Sequence, residues 1–126
     1  MWSNDKSIPK LHIAFIDEEH REILIFLDSI LNGKEDYPEA SIRGFKVYLL
    51  EHFQHEEYFM SRKGYPEYEQ HAAAHKVFVE GIHSGLFQEP LKVLEIQDFF
   101  ALFVGHIASY DAVLVNWLAT EKMNRV

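Results

Sequence analysis

Apolar residues recur in steps of three and four rather than in alternation through four successive stretches of the chain, the spacing of one face of an α-helix. Breakers separate the stretches, at Asn32-Gly33 with Pro38 beyond it, at Gly64-Tyr65-Pro66, and from Gly85 to Pro90. The first stripe is Ile13, Ile16, His20, Ile23, Leu24, Leu27 and Leu31, and the second is Ile42, Phe45, Leu49, His52, Glu56 and Phe59. His71, His75, Phe78 and Ile82 form the third, and Phe99, Leu102, Phe103, His106, Tyr110, Val113 and Trp117 the fourth. Helices of about 20 residues, roughly 30 Å long and joined by short loops, leave neighbours antiparallel. The pattern predicts an all-α fold, an up-down-up-down antiparallel four-helix bundle forming a single domain over residues 1–126. Residues 1–11 are expected to be a non-helical N-terminal arm, with Trp2 and Ile8 available to pack over one end.

Every stripe carries histidine, and the chain has eight of them in 126 residues. It has no cysteine, which excludes disulfides, thiolate zinc sites, iron–sulfur clusters and a catalytic thiol, so any metal must be held by nitrogen and oxygen. The 20 acidic residues outnumber the 12 lysines and arginines, for a net charge of −8. That balance argues against nucleic acid and against an anionic membrane surface as partners. The opening MWSNDKSIPK lacks the apolar segment of a signal peptide, and no apolar run is expected to span a membrane, which makes the cytoplasm the expected compartment.

A histidine on an apolar stripe needs hydrogen-bond partners or a metal, because an unpaired buried polar group costs a few kcal/mol. His52-x-x-x-Glu56 and His71-x-x-x-His75 are i,i+4 pairs, each placing two donor groups one turn apart on one helical face. Either pair alone is a weak signal. Their placement on two inward stripes, with His20 and His106 on the other two, would gather five imidazoles and a carboxylate in the bundle core. Asp111 follows His106 by five residues, about 140° away around a regular helix, so Tyr110 at i+4 is the better geometric neighbour. Asp111 reaches the same region only through a local π-bulge or a wide two-metal cluster.

The segments IDEEHREIL, HFQHEEYFM, YPEYEQHAAAHKVF and HIASYD, in this order and with these gaps, closely resemble the hemerythrins, in particular the single-domain bacterial hemerythrins, from about Ile13 to Asp111. The resemblance implies two iron ions in a non-haem, oxo- or hydroxo-bridged di-iron centre that binds dioxygen reversibly. Carried over by position, His71, His75 and His106 would bind one iron, His20 and His52 the other, and Glu56 and Asp111 would bridge them, leaving the second iron one open position. Alignment and the helical stripes together suggest Ile23, Leu102, Phe103 and Ile107 as the lining of the oxygen pocket. The chain departs from the family pattern at Leu102, where many members have tryptophan, at Ala112-Val113-Leu114, a stretch that commonly contains lysine and tyrosine, and at His12, often glycine.

Imidazoles and carboxylates suit iron, whereas an all-oxygen cage would suit calcium or magnesium. Five histidines to two carboxylates also differ from the carboxylate-rich ferritin-like oxygenases, which favours a carrier or sensor over an oxygenase. Glu19, beside His20, and Glu57, beside Glu56, are placed to accept the outer N–H of a ligating imidazole. His12, His55 and His83 lie off the ligand faces and read as surface or end-of-bundle residues, while the helix dipole suffices for Asp17 and Glu18. The expected function is oxygen storage or delivery without enzymatic turnover, with dioxygen as the partner. An oxygen or redox sensor that signals through helix repacking, and after it a peroxide- or nitric-oxide-handling enzyme, are the alternatives. A monomer is expected, with the apolar run from Ala112 to Leu118 the surface most suited to a second chain.

Overall fold

The computed structural model describes residues 13–32, 39–85, 87–88 and 91–124; the expected arm, with Trp2, Ile8 and His12, lies outside them. The predicted bundle is present. Helix α1 spans Ala14–Asn32, α2 Glu39–Lys63, α3 Tyr68–His83, α4 Val93–His106 and α5 Ala112–Asn124, and one π-helical turn, Ile107–Asp111, joins α4 to α5 as a single rod. Helix α1 packs against α2 and α4, and α2 against α3. Ring contacts between Phe78 and Phe99 close α3 onto α4.

The break between α2 and α3 shows how local sequence sets the path. Gly64 adopts φ +67°, a left-handed conformation open to glycine at little steric cost. Its N–H donates to the Ser61 carbonyl at 3.2 Å and the Tyr65 N–H to the Met60 carbonyl at 3.0 Å. This pair is a Schellman stop, with Met60 and Tyr65 packed together in an apolar cluster with Leu114.

A larger apolar cluster, which includes Ile16, Leu49, Phe53, Phe78, Phe99 and Phe103, fills the other part of the core. Along α2, His52 and Glu56 lie between Leu49 and Met60; along the last rod, His106 and Asp111 lie between Phe103 and Leu114. The polar residues therefore form one layer between two apolar ones. Burying each aromatic or aliphatic side chain of the flanking layers contributes about 1.5–3 kcal/mol, which offsets the desolvation of that layer.

The fourth stripe needs correcting beyond His106. The Ala112 N–H donates to the Ile107 carbonyl, five residues back, so the turn holds one extra residue and everything after it is rotated by about 100°. Asp111 and Leu114 consequently point inward and are fully buried, while Tyr110 and Val113 are 42% and 47% exposed. In the second stripe Met60, not Phe59, reaches full burial.

Leu102 also departs from expectation. It is 60% exposed, so it does not line a buried pocket. The inward direction of α4 is set by Ile96, Phe99, Phe103 and His106, and Leu102 lies roughly 80° from its centre. The expectation that no helix is apolar enough to span a membrane is amended too: the rod Val93–Glu121 meets that test by length and composition. Its inward face, however, carries His106 and Asp111 into the bundle, as in a core helix.

Candidate metal centre

The seven side chains singled out from the sequence meet in one buried layer. Helix α1 contributes His20, α2 His52 and Glu56, α3 His71 and His75, α4 His106, and the π-helical turn Asp111. All are buried, none more than 4% exposed.

The two carboxylates organise the layer. Glu56 Oε1 lies 3.0 Å from His71 Nε2 and 3.1 Å from His75 Nε2, while its Oε2 lies 3.2 Å from His52 Nε2 and 3.4 Å from His20 Nε2. Asp111 repeats the division, with Oδ1 at 2.8 Å from His71 Nε2 and 3.2 Å from His106 Nε2, and Oδ2 at 3.0 Å from His20 Nε2. Each carboxylate thus turns one oxygen toward histidines of the group His71, His75 and His106 and the other toward the group His20 and His52. The donor atoms fall into two sets, one of five residues (Glu56, His71, His75, His106, Asp111) and one of four (His20, His52, Glu56, Asp111), each within 4.8 Å of one another.

Many of these close approaches are not hydrogen bonds. The Nε2 atoms of His20, His52, His71 and His106, Glu56 Oε2 and both oxygens of Asp111 are buried without a hydrogen-bond partner among the described residues. Leaving one buried polar atom unsatisfied costs about 1–3 kcal/mol, and a native core rarely tolerates several side by side. Atoms converging on shared centres rather than on each other are what bound metal requires, so the residues present fit a metal centre.

Electrostatics point the same way. Burial alone would raise the carboxyl of Glu56, yet the imidazoles of His20, His52, His71 and His75 crowded around it hold it well below the usual range. Asp111 is pushed up by burial and by the charge of Glu56, but His106, His20 and His71 hold it below its ordinary value. Burial would lower the imidazoles; instead Glu19 and Glu56 lift His52 to about 9, and Asp111 and Glu56 lift His71 to about 9 and raise His20. Without metal, the layer holds protons where cations would otherwise sit.

Outer partners orient two of the imidazoles. His52 Nδ1 is 2.9 Å from Glu19 Oε1, and His75 Nδ1 is 2.9 Å from Glu57 Oε2. Each places its Nδ1–H on a carboxylate and leaves Nε2 facing the layer. Glu19 thereby serves the histidine of the neighbouring helix rather than His20 beside it in sequence. His83 is exposed, as expected.

Aromatic rings wall the layer. Phe103 lies edge-on to His20 and His52, with centroids 5.9 and 6.0 Å apart, and with Ile23 and Ile107 it is fully buried. Phe53, which the sequence stripes did not include, packs 4.6 Å from His75, and Tyr110 stacks on His106 at 5.2 Å, as its i+4 spacing predicts. Phe53 carries no local signal, because it follows a stripe residue. His55, read from the sequence as a bystander, is hydrogen-bonded to Glu19 at 2.7 Å.

Fold and layer together define a four-helix bundle that binds metal through histidine and carboxylate side chains. Residues 11–118 match the model of the hemerythrin HHE cation-binding domain, and the chain belongs to the hemerythrin family. Comparisons with curated proteins and with solved structures returned no match.

Proposed function

We propose that this chain holds two iron ions and binds dioxygen reversibly at the His20–His52 side, as a store or carrier. The observation that carries the reading is the inequality of the two donor sets, five residues against four, spanned by the same two carboxylates. His71, His75 and His106 would hold one ion and His20 and His52 the other, with Glu56 and Asp111 shared. The ion with fewer protein donors is the one able to accept a ligand. Bound as a ferrous pair, the metals would supply the two electrons that hold O₂ and recover them when it leaves.

The protein's own part is positional. Rigid helices fix the imidazoles before metal arrives, and Glu19 and Glu57 set which nitrogen faces inward. Phe103 and its buried neighbours Ile23 and Ile107 keep water from the four-donor side, which slows loss of electrons to solvent. Leu102 takes no part in this lining.

Reconstitution with ferrous iron under anaerobic conditions tests the reading. The expected result is two irons per chain, with visible charge-transfer absorption that appears in air and disappears under vacuum. Binding that stops at one iron, or colour that does not reverse, overturns it. Turnover of peroxide or nitric oxide beyond one equivalent would replace the carrier with an enzyme. Oxygen-dependent capture of a specific partner would replace it with a sensor.

A further inference from the structure

Glu19 does not serve His52 alone. Its Oε1 lies 2.9 Å from His52 Nδ1 and its Oε2 2.7 Å from His55 Nδ1, so both carboxylate oxygens are engaged by imidazoles one turn apart on α2. An ionised carboxylate has no hydrogen to donate and only accepts hydrogen bonds, and both imidazole nitrogens lie within hydrogen-bond reach of it. Both Nδ1 atoms therefore carry the proton and donate. Exposure falls along the chain of contacts, the side chains being 51% exposed at His55, 15% at Glu19 and 0% at His52. Glu19 is also the residue before His20, so the contact ties α1 to α2 beside both histidines of the four-donor set.

We propose that His55 is a positioning residue for the four-donor side of the metal centre, acting by clamping Glu19 and, through Glu19, the ring of His52. The proposal rests on the metal-pair reading of the site. The reason is geometric. A carboxylate with one oxygen free can rotate and hydrate, and the imidazole it orients then samples other ring angles. With both oxygens bound, Glu19 has one orientation, and His52 Nε2 is aimed at the layer before any cation enters. The five-donor side lacks this device: Glu57, which serves His75, is 31% exposed and has no second imidazole on it among the described residues. The clamp therefore acts on the ion proposed to receive the ligand and not on its neighbour.

His55→Phe removes the donor, while His55→Asn restores an N–H near the position of Nδ1. His83→Asn, at an exposed histidine of α3, serves as the control. The half-exposed position of His55 allows these variants to fold, which melting curves check. Anaerobic titration with cobalt(II), a redox-stable probe whose visible spectrum reports coordination, resolves the two binding steps.

In His55→Phe the weaker step is expected to lose roughly threefold to tenfold in affinity, the lower edge of what direct partners of metal ligands carry. The tighter step should stay unchanged, His55→Asn should recover most of the loss, and Glu19→Gln should lose more. In the metal-free protein, the slowly exchanging His52 Nδ1 proton should be visible by nitrogen-edited NMR in the parent and in His55→Asn, and lost in His55→Phe. Equal weakening of both steps, or a His55→Phe protein matching the parent in the second step and in that proton signal, overturns the clamp. A parent protein that binds only one cobalt overturns the metal-pair reading instead, and the metal-free proton signal then still decides whether His55 holds Glu19 and His52.

Discussion

Metal loading should expel protons, and the structure says about how many. In the metal-free protein the surrounding carboxylates hold His52 and His71 at about 9, so at pH 7 both imidazoles are protonated. A ligating imidazole must be neutral, so each gives up about one proton when a cation binds. Two pKa units correspond to about 3 kcal/mol per group between pH 7 and pH 9. Because both histidines lean on Glu56 and Asp111, they titrate as a set, and the joint effect is about 3–6 kcal/mol, or roughly 10²–10⁴-fold in overall affinity. Calorimetric titration with cobalt(II) in buffers of different ionisation enthalpy counts the protons released. The part of the count that comes from the two imidazoles should fall by about 1.5 between pH 7 and pH 9.5, because a group of pKa about 9 is still about a quarter protonated at the upper pH. An unchanged count would refute the reasoning, since the imidazoles would already be neutral without metal.

The same shifts act on stability with the opposite sign. A histidine raised from 6.5 to about 9 contributes stability fully present below pH 6.5 and lost as pH rises through 9. At about 3–6 kcal/mol for the pair, the melting temperature of the metal-free protein should drop by about 10–20 °C across that window. Metal-loaded protein should become more stable over the same range, because binding tightens. For Glu56 and Asp111, both lowered, the contribution is present above the ordinary carboxylate range and is lost as pH falls through their depressed values.

Deleting Ala108 should return the π-helical turn to a regular helix in which Asp111 falls at i+4 from His106 and stays on the inward face, within about 40° of it; far-ultraviolet circular dichroism and binding of both metals should be preserved, and loss of the second metal would show that the widened turn itself is needed to aim Asp111. Leu102→Gln should change unfolding free energy by less than about 0.5 kcal/mol in urea titration, whereas Phe103→Ala should cost about 3–5 kcal/mol, and equal effects would contradict the outward placement of Leu102. Glu56→Gln should leave the helices intact but remove the oxygen pair spanning both donor sets, so that metal analysis finds one ion or none per chain, and two tightly held ions would rule out a shared role for Glu56.

Much of this molecule is legible in its residues alone. The four stripes and the glycine at position 64 set helix number, boundaries and direction, because burial of one face and a left-handed stop depend on local spacing and backbone sterics. The i,i+4 pairs on α2 and α3 put four donors in the core for the same reason, and His20 and His106 followed from their stripes. Resemblance to a family supplied Asp111, which the helical period placed on the wrong side.

Tertiary structure decided the rest. It took one extra residue in the π-helical turn to turn Asp111 and Leu114 inward and Tyr110 and Val113 outward, a shift that no repeat of three and four encodes. Leu102 fell outside the core because the inward direction of α4 is set by the helices it meets, not by its own composition. His55 gained its place only when α1 brought Glu19 across to α2, a contact between residues 36 positions apart. Local spacing governs which side chains share a face of one helix, whereas contact between helices depends on how the faces are rotated against each other, and that rotation exists only once the bundle has packed.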